Sequence, residues 1–246
     1  PDEWHFSIAS AMQKISEEIA LNALNRLHKL TGSKNLAVSG GFFMNSVFNG
    51  KIIDETPFEN LYVSYAPTDA GNSIGAALYT AHCIKQIPRE ITHSSSYLGP
   101  EFENPEIEEA LNRRKIKFKI LTNPEKEIAE IISRGEIVAV NNGRMEFGER
   151  ALGNRSILAD PRQSEMKDKI NSMIKYREGY RPFAPAVIHE KAHLFFDVKE
   201  GFECTYMEKV VPVREDYRNK LQAVTHVDGS GRVQTIDKKQ NRFFYN

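Results

Sequence analysis

Two segments near the start of the chain repeat one order of signals: a short apolar run, a turn that contains glycine or proline, and a helical pattern. Residues 35–41 read NLAVSGG and lead into FFMNSVFNGKIID. Residues 60–67 read NLYVSYAP and lead into the glycine-rich TDAGNSIGAALYTAHCIK. Strands that alternate with helices in this way indicate an α/β fold.

The rest of the chain extends this α/β pattern on both sides. Apolar residues recur every three or four positions over residues 6–30, which predicts an amphipathic helix with Gly32 as its C-cap. The periodicity fades over residues 91–105, where we place a boundary between domains 1–95 and 96–246. In the second domain we expect helices over 105–114, 124–134 and 163–176, strands at KIKFKIL and EIVAVNNG, an extended RPFAPAVI, and strands around the turn VDGSGR.

Composition excludes several classes of protein. Lys plus Arg and Asp plus Glu both count 33, so no net charge favours nucleic acid or a membrane surface as the main partner. Cys83 and Cys204 are the only two cysteines and lie far apart, which fits a reducing cytoplasm and excludes a disulfide scaffold. No run of about 18 apolar residues is present that could span a bilayer.

Residues 141–162, NNGRMEFGERALGNRSILADPR, contain an unusual density of arginine. Its arginines and glycines are Arg144, Arg150, Arg155, Arg162, Gly143, Gly148 and Gly153. Because the whole chain is neutral, this cluster is a local feature. One interpretation is a solvated surface loop, whose arginines pair with Glu146 and Glu149 and gain little stability. We call residues 141–162 the arginine loop.

The two glycine-containing turns of the first half carry further candidates. At Ser39-Gly40-Gly41 a strand gives way to a helix, so backbone N–H groups there can point at an anion. Asn45, one turn into the helix, either faces the same crevice or lies on the helix surface. Asp69 follows a strand at the carboxyl end of the predicted sheet, where a carboxylate suits a metal or a ribose hydroxyl. The alternative for Asp69 is an N-cap of the following helix.

Four motifs, in this order, resemble the O-carbamoyltransferase family of nodulation and antibiotic biosynthesis: SGGFFMNS, APTDAGNSIGAAL, GRMEFGERALGNRSILADPR and REGYRPFAPAV. The resemblance implies that residues 1–95 are the C-terminal part of an actin-like ATPase (ASKHA) domain and residues 96–246 most of a YrdC-like domain. The second domain would convert carbamoyl phosphate and ATP to carbamoyl adenylate and pyrophosphate. The first would transfer the carbamoyl group to a hydroxyl of a small-molecule or sugar acceptor, using an iron-type metal, with magnesium as a further candidate ion.

The resemblance also implies roles for single residues. Arg150, Arg181 and Arg232 would be catalytic and would hold carbamoyl phosphate or the adenylate, with His226 as a weaker match. Gly40, Gly41, Asn45, Arg144 and Arg155 would bind the nucleotide or its partner, and Asp69 would bind the metal. Both co-substrates are anionic, and guanidinium groups hold phosphate oxygens in bidentate fashion and stabilise the charge that develops during transfer.

The chain departs from the family pattern at two places. The family's HxxxH metal pair lies upstream of SGG, where only His5 and His28 are present. The family's closing Asn-Thr-Ser-Phe-Asn stretch would lie after Asn246. We therefore expect a fragment of a longer protein.

Residues 189–193, HEKAH, match the HExxH pattern of zinc proteases, in which a helix presents both histidines on one face. Prolines lie just upstream, APAVI favours an extended segment, and no clear third ligand follows, although Glu208 and Glu215 have suitable spacing. A zinc hydrolase is therefore the less favoured alternative. A non-catalytic module that binds nucleotide is a third class.

Overall fold

The computed structural model describes residues 2–90 and 95–246, so residues 91–94 of the predicted domain boundary lie outside the described residues. The α-helices are α1 Glu3–Thr31, α2 Ser46–Glu55, α3 Gly71–Tyr79, α4 Asn104–Arg113, α5 Pro124–Ser133, α6 Met166–Ile170, α7 Ala192–Phe195, α8 Glu215–Arg218 and α9 Arg242–Tyr245. The strands are β1 Asn35–Val38, β2 Asn60–Val63, β3 Val138–Asn141, β4 Arg155–Leu158, β5 Ala186–Ile188, β6 Val210–Pro212, β7 Ser230–Arg232 and β8 Gln234–Ile236.

The long helix α1 confirms the predicted helix, but most of its apolar positions are exposed: Ile8, Met12, Ile15, Ile19, Leu27 and Leu30. The Asp2 side chain caps its start by accepting a hydrogen bond from the His5 N–H at 3.2 Å. Gly32 ends it in the left-handed conformation, with φ of 62°, as predicted for a C-cap. The helix packs through Leu24 onto the core of the first half, where Phe48 and Ile52 of α2 are fully buried.

The repeated strand–turn–helix pattern is confirmed, and its two strands are neighbours. β1 and β2 run parallel, in register from Asn35 opposite Asn60 to Val38 opposite Val63. The Gly40 N–H donates to the Pro67 carbonyl at 2.6 Å, so the turns after the two strands lie together at the carboxyl end of the pair. A 3₁₀ turn, Gly41–Met44, separates the glycine turn from α2.

The second half consists of small two-stranded sheets with short helices between them. β3 pairs antiparallel with β4, β5 parallel with β8, and β6 antiparallel with β7. Residues 208–246 contain β6, β7 and β8, which confirms strands in this range, but β7 includes the last three residues of the predicted turn VDGSGR. Phe196, Val213 and Val233 form the centre of the core here, each at most 1% exposed. The structure therefore confirms a mixed α/β fold, built from smaller sheets than the pattern suggested.

The predicted strand at KIKFKIL is wrong. Residues 116–121 lie outside any strand, and Ile116, Phe118 and Ile120 are 50, 43 and 74% exposed. Their alternation satisfies the local condition for a strand, but no described strand runs beside them to complete the hydrogen bonds. EIVAVNNG does form β3, yet only Val140 of that strand is buried, whereas we expected a buried strand.

The two halves contact each other through α2 and β6. The buried Asn49 amide of α2 donates to the carbonyl of Glu208 at 2.9 Å and to that of Phe43 at 2.7 Å. The adjacent Gly50 lies against the Val210 carbonyl so closely that a Cβ would overlap its oxygen. Glycine is therefore required here by close approach.

Within residues 2–90 and 95–246, no helix combines the length and the apolar character needed to cross a bilayer.

Two helical glycines make a matched test of this contact. Gly75→Ala in α3 should raise the free energy of unfolding by about 0.5–1 kcal/mol, because nothing lies within 4 Å of a Cβ there and alanine favours helices. Gly50→Ala should instead lower it by about 1–3 kcal/mol, because the added methyl displaces β6 from α2. Chemical denaturation of both variants checks this, and stabilisation by both would contradict the contact.

Candidate functional site

The arginine loop is organised around the buried carboxylate of Glu146, whose side chain is 0% exposed. One of its oxygens accepts the backbone N–H of Leu152 at 2.6 Å, of Asn154 at 2.9 Å and of Arg155 at 3.3 Å. The other accepts the Arg155 Nε at 3.1 Å. Burial by itself would raise the pKa of Glu146, but these hydrogen bonds outweigh burial and lower it.

Other side chains hold the same loop from outside. The Leu152 carbonyl accepts hydrogen bonds from the Tyr97 hydroxyl at 2.9 Å and from the buried Gln234 amide at 3.0 Å. Asn241 donates to the Asn154 side chain at 2.8 Å. The interpretation of a solvated surface loop is therefore wrong for the backbone and the central carboxylate, which are inside the protein, although the pairing of an arginine with Glu146 that it included is present at Arg155.

Arg150 lies where the arginine loop meets the first half. Its guanidinium donates to the Met44 carbonyl at 3.5 Å, and the neighbouring Glu149 accepts a hydrogen bond from the Thr68 hydroxyl. Burial lowers the pKa of Arg150, against the opposing effect of Glu149. Beside it is a cavity of about 20 Å³, also lined by Tyr65 and Tyr206, which has room for one water molecule and not for a nucleotide.

Arg232, on β7, is the most perturbed cation of the described residues. Its Nε is buried and has no hydrogen-bond partner within the described part of the chain. Burial, the largest effect, and the positive charges of Arg150 and Arg177 together lower its pKa to about 10. The charges of Arg150 and Arg177 therefore act on Arg232 through space, although these residues are 82 and 55 positions away from it along the sequence.

Arg177 belongs with Arg150 and Arg232, and the sequence analysis did not identify it. Its Nε donates to the Asn171 side-chain oxygen at 2.7 Å, and its guanidinium stacks 4.6 Å from the centre of the Phe183 ring. Arg181, the predicted residue, is 52% exposed and pairs with Glu178 at 2.8 Å. The motif YREGYR contains both arginines, but the sequence does not show which of the two side chains contributes to the cluster.

The three guanidinium groups of Arg150, Arg177 and Arg232 form what we call the arginine cluster. Among residues 2–90 and 95–246, no Asp or Glu forms an ion pair with any of them. Like charges held together and partly desolvated cost free energy unless an anion neutralises them. The arrangement is suited to bind phosphate or another polyanion.

The other predicted arginines have structural contacts. Arg144 is exposed and donates to the Gly99 carbonyl at 3.2 Å. Arg155 donates to the side chain and to the carbonyl of Glu146. Their predicted roles in binding stay predictions, and neither belongs to the arginine cluster.

The predicted nucleotide turn lies at the carboxyl end of β1, as expected. Nothing lies within 4 Å of a Cβ built at Gly40 or Gly41, so the turn is open on that side, although the Gly40 N–H is bonded to Pro67. Asn45 caps α2 by accepting from the Phe48 N–H at 3.1 Å, and its amide donates to Gln13 at 2.8 Å.

Asp69 is exposed and follows β2 at the same edge of the sheet. It does not serve as the side-chain cap of α3, because that helix has no such hydrogen bond. Among the described residues no three His, Cys, Asp or Glu side chains are grouped to hold a metal ion. A single carboxylate does not make a metal site, so these residues by themselves do not fit the implied iron-type ion.

The HEKAH stretch does not form the helix that a zinc protease uses. β5 ends at Ile188, in agreement with the extended segment predicted there. His189 then begins a 3₁₀ turn, and α7 begins only at Ala192. The His189 Nε2 and the His193 Nδ1 are both buried and unpaired among the described residues. Glu208, suggested by spacing as a third ligand, accepts instead from the Tyr206 N–H at 2.8 Å.

The fold and the arginine cluster together define an α/β protein with a group of positive charges, suited to bind an anion, beside the contact of its two halves. Two family models match the chain: Carbamoyltransferase N-terminus over residues 2–78 and Carbamoyltransferase C-terminus over residues 129–246. The chain belongs to the carbamoyltransferase family.

Several nodulation proteins are similar to this chain. Nodulation protein NolNO of Sinorhizobium fredii is 40% identical over 246 residues, covering 98% of this chain and 36% of that protein. Nodulation protein NolO of Bradyrhizobium diazoefficiens is 38% identical, covering 98% of this chain and 45% of that protein. Nodulation protein U of the same organism is 34% identical over 90% of this chain and 37% of its own length. The chain thus spans less than half the length of these relatives.

Replacement of Glu146 tests its role in the loop. Glu146→Gln should lower the free energy of unfolding by about 2 kcal/mol at neutral pH, because it removes charge-assisted hydrogen bonds. Since folding lowers the pKa of Glu146, the wild-type advantage should disappear as pH falls through that lowered value.

The control is Glu109→Gln, an exposed carboxylate of α4, which should change stability by less than about 0.5 kcal/mol. Denaturant titrations of both variants at neutral and acidic pH measure these differences. Equal stability losses in the two variants would show that Glu146 is not the organising carboxylate.

Proposed function

We propose that this chain carries the carbamoyl-activating site of a carbamoyltransferase that uses carbamoyl phosphate and ATP. The observation that carries the proposal is the arginine cluster: the charges of Arg150 and Arg177 act on the buried Arg232, and none of the three forms an ion pair within the described part of the chain, in a protein of this family. Two phosphorylated substrates supply the negative charge that the cluster lacks. Arg150, Arg177 and Arg232 would bind their phosphoryl oxygens and stabilise the charge that grows there during transfer.

The proposed reaction balances as follows. Carbamoyl phosphate loses its phosphoryl group to water, which yields carbamate and inorganic phosphate. A carbamate oxygen then attacks the α-phosphorus of ATP, a new P–O bond forms, and pyrophosphate leaves. Carbamoyl adenylate is the product, and attack of an acceptor hydroxyl on its carbonyl carbon releases AMP and completes the transfer.

We assign different steps of the reaction to the two halves because the chain belongs to this family. We assign activation to a YrdC-like domain at residues 96–246 and transfer to the C-terminal part of an actin-like domain at residues 1–95. The contact supports this assignment, because Arg150 bonds to Met44 of the first half and Glu149 to Thr68. A product formed at the arginine cluster would therefore arise beside the first half.

The acceptor end of the reaction lies in the first half. There Gly40, Gly41 and Asp69 share one edge of the β1–β2 pair, which suits a nucleotide or its ribose. Asp69 would supply one ligand of an iron-type or magnesium ion only together with ligands beyond the described residues. We propose a hydroxyl-bearing small molecule or sugar as the acceptor, and the cytoplasm as the location, since free Cys83 and Cys204 suit a reducing compartment.

Pyrophosphate release in the complete protein tests the proposal. With carbamoyl phosphate and ATP, one inorganic phosphate and one pyrophosphate should form per turnover. Arg150→Ala and Arg232→Ala should each lower the rate by about 100-fold or more, because each removes charge from the site of transfer. The control Arg134→Ala removes an exposed arginine paired with Glu136 and should leave the rate unchanged.

Calorimetry separates the alternative functions. A non-catalytic module would bind ATP without any turnover, and a zinc hydrolase would bind neither co-substrate. Unchanged rates in Arg150→Ala and Arg232→Ala would remove the arginine cluster from the reaction.

The structure and the sequence motif make different predictions for two arginines four positions apart. The charge of Arg177 acts on Arg232 whereas Arg181 pairs with Glu178 at the surface, so Arg177→Ala should raise the KM for carbamoyl phosphate by about tenfold or more. Arg181→Ala should change it by less than about threefold. The reverse order would show that Arg181 turns inward when the substrates bind.

A further inference from the structure

The imidazole of His226 is held in one orientation by a short chain of hydrogen bonds. The Ser230 hydroxyl lies 2.6 Å from a carboxylate oxygen of Asp228, and the His226 Nδ1 lies 3.0 Å from the Ser230 oxygen. An ionised carboxylate only accepts, so the single hydroxyl hydrogen of Ser230 goes to Asp228. The Ser230 oxygen must then accept from His226, which places the proton on Nδ1 and leaves a lone pair on Nε2.

This Nε2 acceptor is buried and has no hydrogen-bond partner among the described residues. A buried acceptor without a donor costs free energy, and a bound ligand that supplies an N–H or O–H removes that cost. Burial, the largest effect, and nearby Arg232 lower the pKa of His226, while Asp228 acts in the opposite direction. The ring therefore stays neutral near pH 7, and its Nε2 is an acceptor.

The unpaired acceptor lies beside an unpaired donor. Ser230 and Arg232 are two positions apart on β7, so their side chains project from the same face of the strand. Because His226 is bonded to Ser230, its ring lies on the face from which Arg232 projects. The Arg232 Nε–H lacks an acceptor, and the His226 Nε2 lacks a donor.

A ligand that satisfies both atoms carries an anionic oxygen next to an N–H or O–H donor. Carbamoyl phosphate has this combination, with phosphoryl oxygens at one end and an NH₂ at the other. Acetyl phosphate has nearly the same shape and charge, but a methyl group replaces the NH₂. A site that reads an NH₂ by a buried acceptor rejects such an analogue, because the acceptor stays unpaired.

We infer that His226 is a specificity-determining residue, whose Nε2 accepts a hydrogen bond from the carbamoyl NH₂ while Arg232 holds the phosphoryl group. The inference rests on the proposed function, and it explains how the site distinguishes carbamoyl phosphate from other acyl phosphates. Asp228 and Ser230 are positioning residues, since they fix the tautomer of His226 without touching the ligand.

The test compares binding of carbamoyl phosphate and acetyl phosphate to the complete protein by calorimetry. Wild type should prefer carbamoyl phosphate. His226→Phe keeps a flat ring but has no acceptor, and should weaken carbamoyl phosphate about tenfold while changing acetyl phosphate less than about threefold. His226→Gln places a carbonyl oxygen near the Nε2 position and should restore part of the preference.

Ser230→Ala provides a second test that keeps the imidazole. Without the serine oxygen the tautomer is no longer fixed, so the preference for carbamoyl phosphate should fall without loss of acetyl phosphate binding. Thermal unfolding of each variant shows whether it is folded. If His226→Phe does not fold, the binding preference of Ser230→Ala tests the inference.

The outcomes separate this inference from the function on which it rests. Equal weakening of both acyl phosphates in His226→Phe would overturn the inference and leave the proposed function intact. A loss of ATP affinity with an unchanged preference would overturn it too, because Nε2 would then face the adenine amino group. Wild type that binds neither acyl phosphate would contradict the proposed function, and the inference with it.

Discussion

The arginine loop depends on one buried carboxylate. Glu146 collects three backbone N–H groups and the guanidinium of Arg155, so it turns residues 146–155 back on themselves around a single negative charge. A loop with positive φ at Gly148 and Gly153 has many alternative conformations, and fixing it costs conformational entropy. The charge-assisted bonds to Glu146 offset that cost. They also hold Arg155 against Glu146, while Arg150, on the same loop, contacts the first half.

Fixing the loop also fixes its contact with the first half. Gly148 passes so close to the Tyr65 carbonyl that a side chain would clash, and the next two residues bond to Thr68 and Met44. The glycine therefore allows the loop to pack directly against the first half. As a result, Arg150 has one neighbour in each half of the chain: the Met44 carbonyl and the charged group of Arg232.

The arginine cluster shows how a neutral chain builds a strongly cationic site. Burial and mutual repulsion lower the pKa of Arg232 to about 10, so the cluster is held in a state that an anion would relieve. Directly beside it, His226 presents an acceptor whose tautomer is set by Ser230 and Asp228. In the function proposed above, the charge of the cluster would bind the phosphoryl groups, and the neutral imidazole would recognise the group attached to them.

The sequence by itself determined the elements whose information is local. The three-to-four periodicity of α1, its Gly32 cap, the two strand–turn–helix units and the family motifs around Arg150 and Arg232 are all readable within a few residues. Only the tertiary structure decided that the charge of Arg177 acts on Arg232 while Arg181 pairs with Glu178 at the surface, that Glu146 is buried, and that KIKFKIL finds no partner among the described strands. The reason is physical: periodicity reports which residues share a face, whereas burial, charge convergence and strand pairing depend on segments that are distant in the chain.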